Sequence, residues 1–423
     1  MNEPVQPPRN DARPLELAPF RALRYNPAAV PELGAVTCPP YDVISAHGVE
    51  AYEAADPHNI VRLILPQPTG DADKYAHAAS ELGDWMGAGV LVTDDEPALF
   101  VYELVTGADA TAGLVGAISV LDQADGRVLP HEDVFAGAVA DRTSLMLATA
   151  AQLEPILLTY DGDGAASDVV DDALRTPPLL RVTTADGAIH RLWRLTDSKT
   201  LAAVADDLGP RHALIADGHH RYAAYRALRD RPEAPPGASH GLAMLVDAKR
   251  HPLRLSAIHR SVSGLRWDDA LSALRAGFAT VVPASLDSDV FAADPDSGWP
   301  PLVVSDGEQC AVLTEPDAAH VAASMPAGPS AEWQQLGASL LCEFLLPKLL
   351  GMPDTDPRVA YHHQRNDALQ RATETGGLAI LLPPAGLADV LALAARGERM
   401  PRKSTSFGPK PRTGLVMRLL DTP

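Results

Sequence analysis

The chain has 423 residues, 46% of them hydrophobic and 21% charged, with a formal net charge of -20 and a pI near 5.0. That is the balance of a globular protein with core enough for two or three domains or lobes. It speaks against a duplex-DNA binder, which concentrates basic charge on one face. Cys38, Cys310 and Cys342 lie far apart and in no C-x-x-C pair. They argue against a disulfide scaffold or structural zinc site and for a reducing, cytoplasmic setting.

Residues 1–14 are polar and proline-rich without an apolar h-region, so a disordered leader is expected there and not a signal peptide. No uninterrupted apolar run is long enough to span a membrane. Alternating or apolar runs predict strands at Ile60–Leu65, Ala98–Leu104, Val115–Leu121, Pro155–Tyr160, His190–Leu195, Leu242–Val246 and Ser256–Val262. Helical spacing predicts helices at Asp73–Trp85, Ser144–Ala151, Lys199–Leu208 and His219–Arg229. This irregular alternation, without internal repeats, is that of an α+β or mixed α/β layer fold.

After Trp267 the texture changes. Asp268–Ala276 reads as a helix, and Leu286–Trp299 and Glu315–Glu332 are loop-rich. Helical patterns return at Glu332–Leu350, Arg365–Glu374 and Leu387–Arg396, and Thr413–Met417 can form a closing strand. The expected division is an N-terminal α+β lobe over 15–265 and a C-terminal α/β lobe over 266–423.

The densest chemistry lies in Ala216-Asp217-Gly218-His219-His220-Arg221-Tyr222, between the apolar run Ala213–Ala216 and a helix with Tyr222, Tyr225 and Leu228 on one face. Asp217 is the expected N-cap and Gly218 the tight-turn residue. A strand turning into a helix offers backbone N–H groups and a positive dipole end to an anion such as phosphate. Arg221 can clamp that anion, and Asp217 can hold a metal ion or take a proton. Adjacent His219 and His220 point ~100° apart on a helix, so they are no chelating pair. His362-His363 is read as structural on the same ground.

Three further clusters stand out. Pro130-His131-Glu132-Asp133, followed by Asp141-Arg142-Thr143, can supply a base and a metal-binding carboxylate. Lys403-Ser404-Thr405-Ser406-Phe407-Gly408-Pro409-Lys410 offers lysines and hydroxyls to phosphate, without the glycines of a P-loop. Cys38-Pro39-Pro40-Tyr41-Asp42 is stiffened by its prolines and can present Tyr41 and Asp42 at a rim.

Together these segments resemble the family catalogued as domain of unknown function DUF1015. The resemblance runs from about Pro19 to Leu420. It is carried by Pro39-Pro40-Tyr41-Asp42-Val43, Pro57-His58-Asn59, Arg127–Glu132, Ile215–Tyr222 and Met400–Thr405. One departure is Ser406–Lys410, where the family pattern ends in an aromatic-rich Phe-Tyr-Pro-Lys; Lys410 is retained. The Asp-Gly-His-His-Arg box also resembles the phosphate-binding box of the ParB/sulfiredoxin-like superfamily, and a close run occurs in its free-serine kinases. Sulfiredoxins carry a cysteine there, and here no cysteine is near.

The resemblance implies a ParB-like core and phosphorylation of free L-serine, or a similar small hydroxyl metabolite, with ATP or ADP as donor and Mg²⁺. On that reading Asp217, Glu132 and His219 are catalytic, with Asp217 and Glu132 placing the metal. Gly218, His220, Arg221, Arg142, Lys403, Ser404, Thr405 and Lys410 meet the phosphates. Tyr41, Asp42 and His131 line the acceptor site. The alternatives are a ParB-like nucleotide-binding regulator and a metabolite sensor without turnover. A nucleotide and a small molecule are the expected partners; the charge speaks against nucleic acid, and the oligomeric state is left open.

Overall fold

The computed structural model describes residues 13–67, 73–107, 109–286, 291 and 298–421. The fold is mixed α+β, with several sheets. The chain divides into two compact units: residues up to Leu253 together with Pro409 onward, and Arg254–Gly408. The parting falls at Leu253, not near 265, and the tail does not stay with the second unit. Met417–Leu419 instead pairs with Ala22–Leu23 on one side and with Ala151–Gln152 on the other. Local pattern cannot join strands so distant in sequence. Except for Arg13 and Pro14, the expected leader lies outside the described residues.

The first unit is built on one mixed sheet. Its central strands are β1 (Leu99–Thr106), β2 (Asp109–Ser119), β3 (Ile156–Tyr160), β4 (Ala213–Asp217) and β5 (His240–Asp247). Their spatial order is β1-β2-β5-β3-β4, continued by Ile189–Leu195 beside β1 and Val128–Leu129 beside β4. β3 and β5 run parallel, and β4 is antiparallel to β3. Helices α1 (Ala136–Thr149) and α2 (His219–Arg229) pack on each other. Leu99, Val101, Leu114, Ile156, Leu158, Ile215 and Leu245 form a core with Tyr222, Tyr225 and Leu228 of α2. Burial of that apolar surface is the main force holding sheet and helix together.

The run Ile60–Leu65 is not the predicted strand. Val61–Ile64 is a helical turn, opened by the Asn59 side chain, which accepts the Val61 N–H at 3.0 Å. Ile60, Val61, Leu63 and Ile64 are all fully buried around the half-buried Arg62, and a run with a single polar residue has no period to tell helix from strand. The helix predicted at Ser144–Ala151 begins earlier, at Ala136, and ends at Ala150 in a left-handed conformation. No helix among the described residues is long and apolar enough to cross a membrane.

A buried polar chain crosses this unit. Tyr102 Oη lies 2.8 Å from His190 Nδ1, Thr184 Oγ1 lies 3.3 Å from His190 Nε2, and Tyr102 Oη accepts the Arg412 N–H at 3.1 Å. Burial, with the Arg412 charge second, pushes the His190 imidazole from 6.5 down to about 4. Between those values the unfolded chain holds a proton that the folded chain refuses. His190 therefore contributes stability that is present above pH 6.5 and lost as pH falls toward 4. In urea unfolding at pH 7 and pH 4.5, His190→Gln is expected to shrink the acid-induced loss by about 2 kcal/mol. An unchanged loss contradicts a neutral buried imidazole.

The second unit has an antiparallel sheet ordered Phe278–Pro283, Cys310–Pro316, Leu302–Ser305, Leu378–Leu381, His259–Val262, Val359–His362. The predicted strand Ser256–Val262 is two strands broken at Ile258, the first of which pairs with Thr405–Gly408. Within the expected loop Glu315–Glu332, Ala318–Ser324 is helical and capped by Asp317. The expected loop Leu286–Trp299 lies largely outside the described residues. Arg260 is buried against Asp354 at 2.7 Å, beneath the Tyr361 ring at 4.2 Å.

Candidate active site at the strand–helix turn

The site begins where β4 meets α2. Ala216 is an extra residue in β4 opposite β3, a bulge just before Asp217. Bulges of this kind re-aim the side chain that follows. Gly218 follows at φ 95, and it, not Asp217, is the N-cap of α2. The left-handed turn excludes most side chains, and a Cβ on Gly218 would lie 2.7 Å from Ile156 Cγ2. The first backbone bond into the helix runs from Tyr222 N–H to the Gly218 carbonyl at 2.8 Å. The amides of His219, His220 and Arg221 thus have no acceptor within the helix and form its positive end.

Freed from capping, the Asp217 carboxylate gathers cations. Arg221 donates from Nη2 to Asp217 Oδ2 at 2.6 Å and from Nη1 to the Pro155 carbonyl at 2.7 Å. Lys410 meets Asp217 Oδ1 and, at 2.8 Å, Asp42 Oδ2. Burial alone would lower the Lys410 ammonium, but Asp217 and Asp42 together hold it above the usual lysine value. Arg221 is raised too, against burial, by Glu154 first and then Asp217 and Asp42. Burial, opposed by the Arg221 charge, pushes the neighbouring Tyr41 phenol up to about 12.

Lys410 belongs to the first unit, not to the second lobe where it was expected. Lys403, Ser404 and Thr405 belong to the second unit. There the carbonyls of Arg402 and Lys403 accept from Arg260, Thr405 pairs with Ala257, and Ser404 is buried. Lys403 holds a left-handed φ of 50, which is uncommon for a lysine.

The turn carrying His131 and Glu132 comes to the box because Val128–Leu129 pairs with Ala213–Leu214 of β4. His219 Nε2 accepts the His131 N–H at 3.3 Å, and the two rings meet edge-to-face at 4.5 Å. His220 turns elsewhere: its Nε2 accepts the Phe135 N–H at 3.0 Å, and its ring lies parallel to Phe135. The two histidines therefore part as the helical geometry requires. Glu132 is half-buried beside His131.

Arg142, on α1, is buried and already engaged. It donates to the Ile64 carbonyl at 2.7 Å and to Asp141 at 2.9 Å, and its guanidinium lies 4.3 Å from the centre of the Tyr41 ring. Such a cation is held for packing and charge balance as much as for a ligand. Sequence reasoning missed Glu154 and the Lys74–Asp141 pair at 2.7 Å. Glu154 was findable as the lone acid in the apolar run Leu153–Leu158.

A Mg²⁺ ion does not fit Asp217 as the side chains stand. Both carboxylate oxygens face cationic nitrogens, and a hard divalent cation needs those lone pairs and repels those charges. Among the described residues no group of three or more His, Cys, Asp or Glu is placed to hold a metal ion.

A family described as "Protein of unknown function (DUF1015)" has a model matching residues 17–339. The chain belongs to that family. Asp42 and Asp217 of this DUF1015 chain lie inside the matched span, and Lys410 lies beyond it. No curated protein matches the chain. Among solved structures, a free serine kinase mutant in complex with ADP is 12% identical, with 71% of this chain and 92% of that chain covered and a TM-score of 0.38. SbnI with a C-terminal truncation, from Staphylococcus aureus, is 12% identical over 72% of this chain and 87% of its own, with a TM-score of 0.37. A conserved hypothetical protein from Pyrococcus furiosus is 14% identical over 70% and 90%, with a TM-score of 0.34. These likenesses are too slight to carry an activity.

Proposed function

We propose that this DUF1015 chain is a small-molecule phosphotransferase that moves a phosphoryl group from a nucleotide such as ATP or ADP to a small hydroxyl acceptor, free L-serine being the first to try. The observation that carries this reading is Lys410, held between Asp42 and Asp217 at the positive end of α2. A cation and a helix N-terminus converging on one point favour an anion, and carboxylates beside it can receive a proton. The kinase-like identity of the acceptor rests further on the resemblance of the Asp-Gly-His-His-Arg box to that of the ParB-like serine kinases. The superfamily membership and the cytoplasmic setting belong to the same proposal.

In the reaction the acceptor oxygen forms a bond to phosphorus while the bond from phosphorus to the donor oxygen breaks. The hydroxyl proton passes to Asp217 Oδ1 as Lys410 leaves that oxygen for the phosphoryl oxygens, and the electron pair leaves on the donor phosphate. Lys410, Arg221 and the amides at 219–221 balance the charge on the phosphoryl oxygens. Catalysis of this type is mostly positioning and electrostatics. His219 and His131 orient the turn, and Tyr41 and Asp42 face the acceptor. Glu132 is proposed as a second acid.

The test is direct. The protein is incubated with Mg²⁺, with each of ATP, ADP, CTP and pyrophosphate, and with an amino-acid mixture, and mass spectrometry reads the products. A phosphorylated amino acid with one donor is expected. Nucleotide-dependent thermal stabilisation without product in any mixture would replace this reading with a sensor or nucleotide-binding regulator.

A further inference from the structure

Glu154 lies just before β3 and is almost completely buried. Its Oε1 accepts the Tyr41 N–H at 2.9 Å and faces Thr413 Oγ1 at 3.5 Å. Its Oε2 stands 3.9 Å from Arg142 Nη1, an ion pair without a direct hydrogen bond. The next residue, Pro155, offers its carbonyl to Arg221.

Each of these partners adjoins a residue of the site. Tyr41 precedes Asp42. Thr413 lies on the segment that carries Lys410, where its backbone pairs with Cys38 and Arg412 Nη2 donates to the Thr37 carbonyl at 2.8 Å. Arg221 itself binds Asp217. Two stretches far apart in sequence, at Tyr41 and Thr413, therefore converge on one carboxylate, and Arg221 binds the carbonyl of the residue after it. Burial raises its carboxyl against the pull of Arg221 and Arg142, so the group sits in a low-dielectric place where each bond counts.

We propose that Glu154 is the positioning residue of the site: it ties the turn bearing Asp42 and the segment bearing Lys410 to the start of β3, so that the two side chains meet beside Asp217. The tie rests on the phosphotransferase reading only for what the tied residues do. It is tested without turnover, by the rate at which an amine-acylating ester labels Lys410 relative to exposed Lys199, read by peptide mass spectrometry. In the wild type, Lys410 is shielded and protonated and labels slowly.

Glu154→Ala is expected to raise that ratio about tenfold, the worth of one lost buried hydrogen bond. Glu154→Gln keeps an acceptor for the Tyr41 N–H and is expected to stay within about twofold of wild type. Val246→Ala, a buried change in β5 away from Glu154, controls for general loosening. Should Glu154→Ala fail to fold, Thr413→Val cuts the contact to the Lys410 segment alone and is expected to give about a threefold rise. The proposal is overturned if Glu154→Ala labels like wild type, if Glu154→Gln or Val246→Ala labels as fast as Glu154→Ala, or if the folded Thr413→Val shows no rise. A wild type that phosphorylates nothing, with the labelling pattern as expected, removes the phosphotransferase reading and leaves the tie in place.

Discussion

Asp217→Asn is expected to lower turnover by at least about a thousandfold while leaving the fold intact, since a positioned base contributes on the order of 10² to 10⁴ and the substitution also removes charge that places Lys410. The side chain keeps its shape. Arg221 can still donate to the new amide oxygen as it does to Asp217 Oδ2, and Lys410 keeps its partner Asp42. The stability cost is therefore a weakened buried ion pair, about 1–3 kcal/mol. Asp217→Ala differs because Arg221 is then buried without its nearest counter-charge, at a cost of about 3–5 kcal/mol. Turnover by mass spectrometry and a thermal melt on the same samples separate the two effects. An Asp217→Asn protein retaining a tenth or more of wild-type turnover would sink the proposed role.

The parts of the site legible in the sequence are those written in consecutive residues. The strand Ala213–Ala216, the glycine turn and the face of Tyr222, Tyr225 and Leu228 follow from period and turn chemistry, and all are present. The cap went to Gly218 because a bulge at Ala216 rotates Asp217 away from the helix end toward Lys410, and nothing local announces a bulge. The partnership of Asp42, Asp217 and Lys410 was hidden for a different reason. It depends on the tail returning to the first unit through Met417–Leu419, a pairing between the two ends of the chain. Glu154 shows in the sequence only as one acid among apolar residues, a pattern that a solvated strand end also gives, and its contacts show that it is enclosed.

Gly218→Ala is expected to destabilise the first unit by about 2–5 kcal/mol, the sum of two separable costs. An alanine at φ 95 adopts a left-handed conformation that disfavours L-residues by roughly 1–2 kcal/mol. Its Cβ would also lie 2.7 Å from Ile156 Cγ2, and Ile156 is fully buried in β3 with no room to retreat. Overpacking of that kind costs about 1–3 kcal/mol. Relief by backbone movement would shift the amides of His219–Arg221, so anion affinity should fall with stability. A double-mutant cycle with Ile156→Ala, followed by urea unfolding, assigns the cost. Removing Cγ2 deletes the nearer contact and leaves the backbone conformation as it was. If the double variant is more stable than the summed single effects by about 1–2 kcal/mol, the clash dominates. Strict additivity instead puts the whole cost in the turn, and then the glycine is required for its backbone alone.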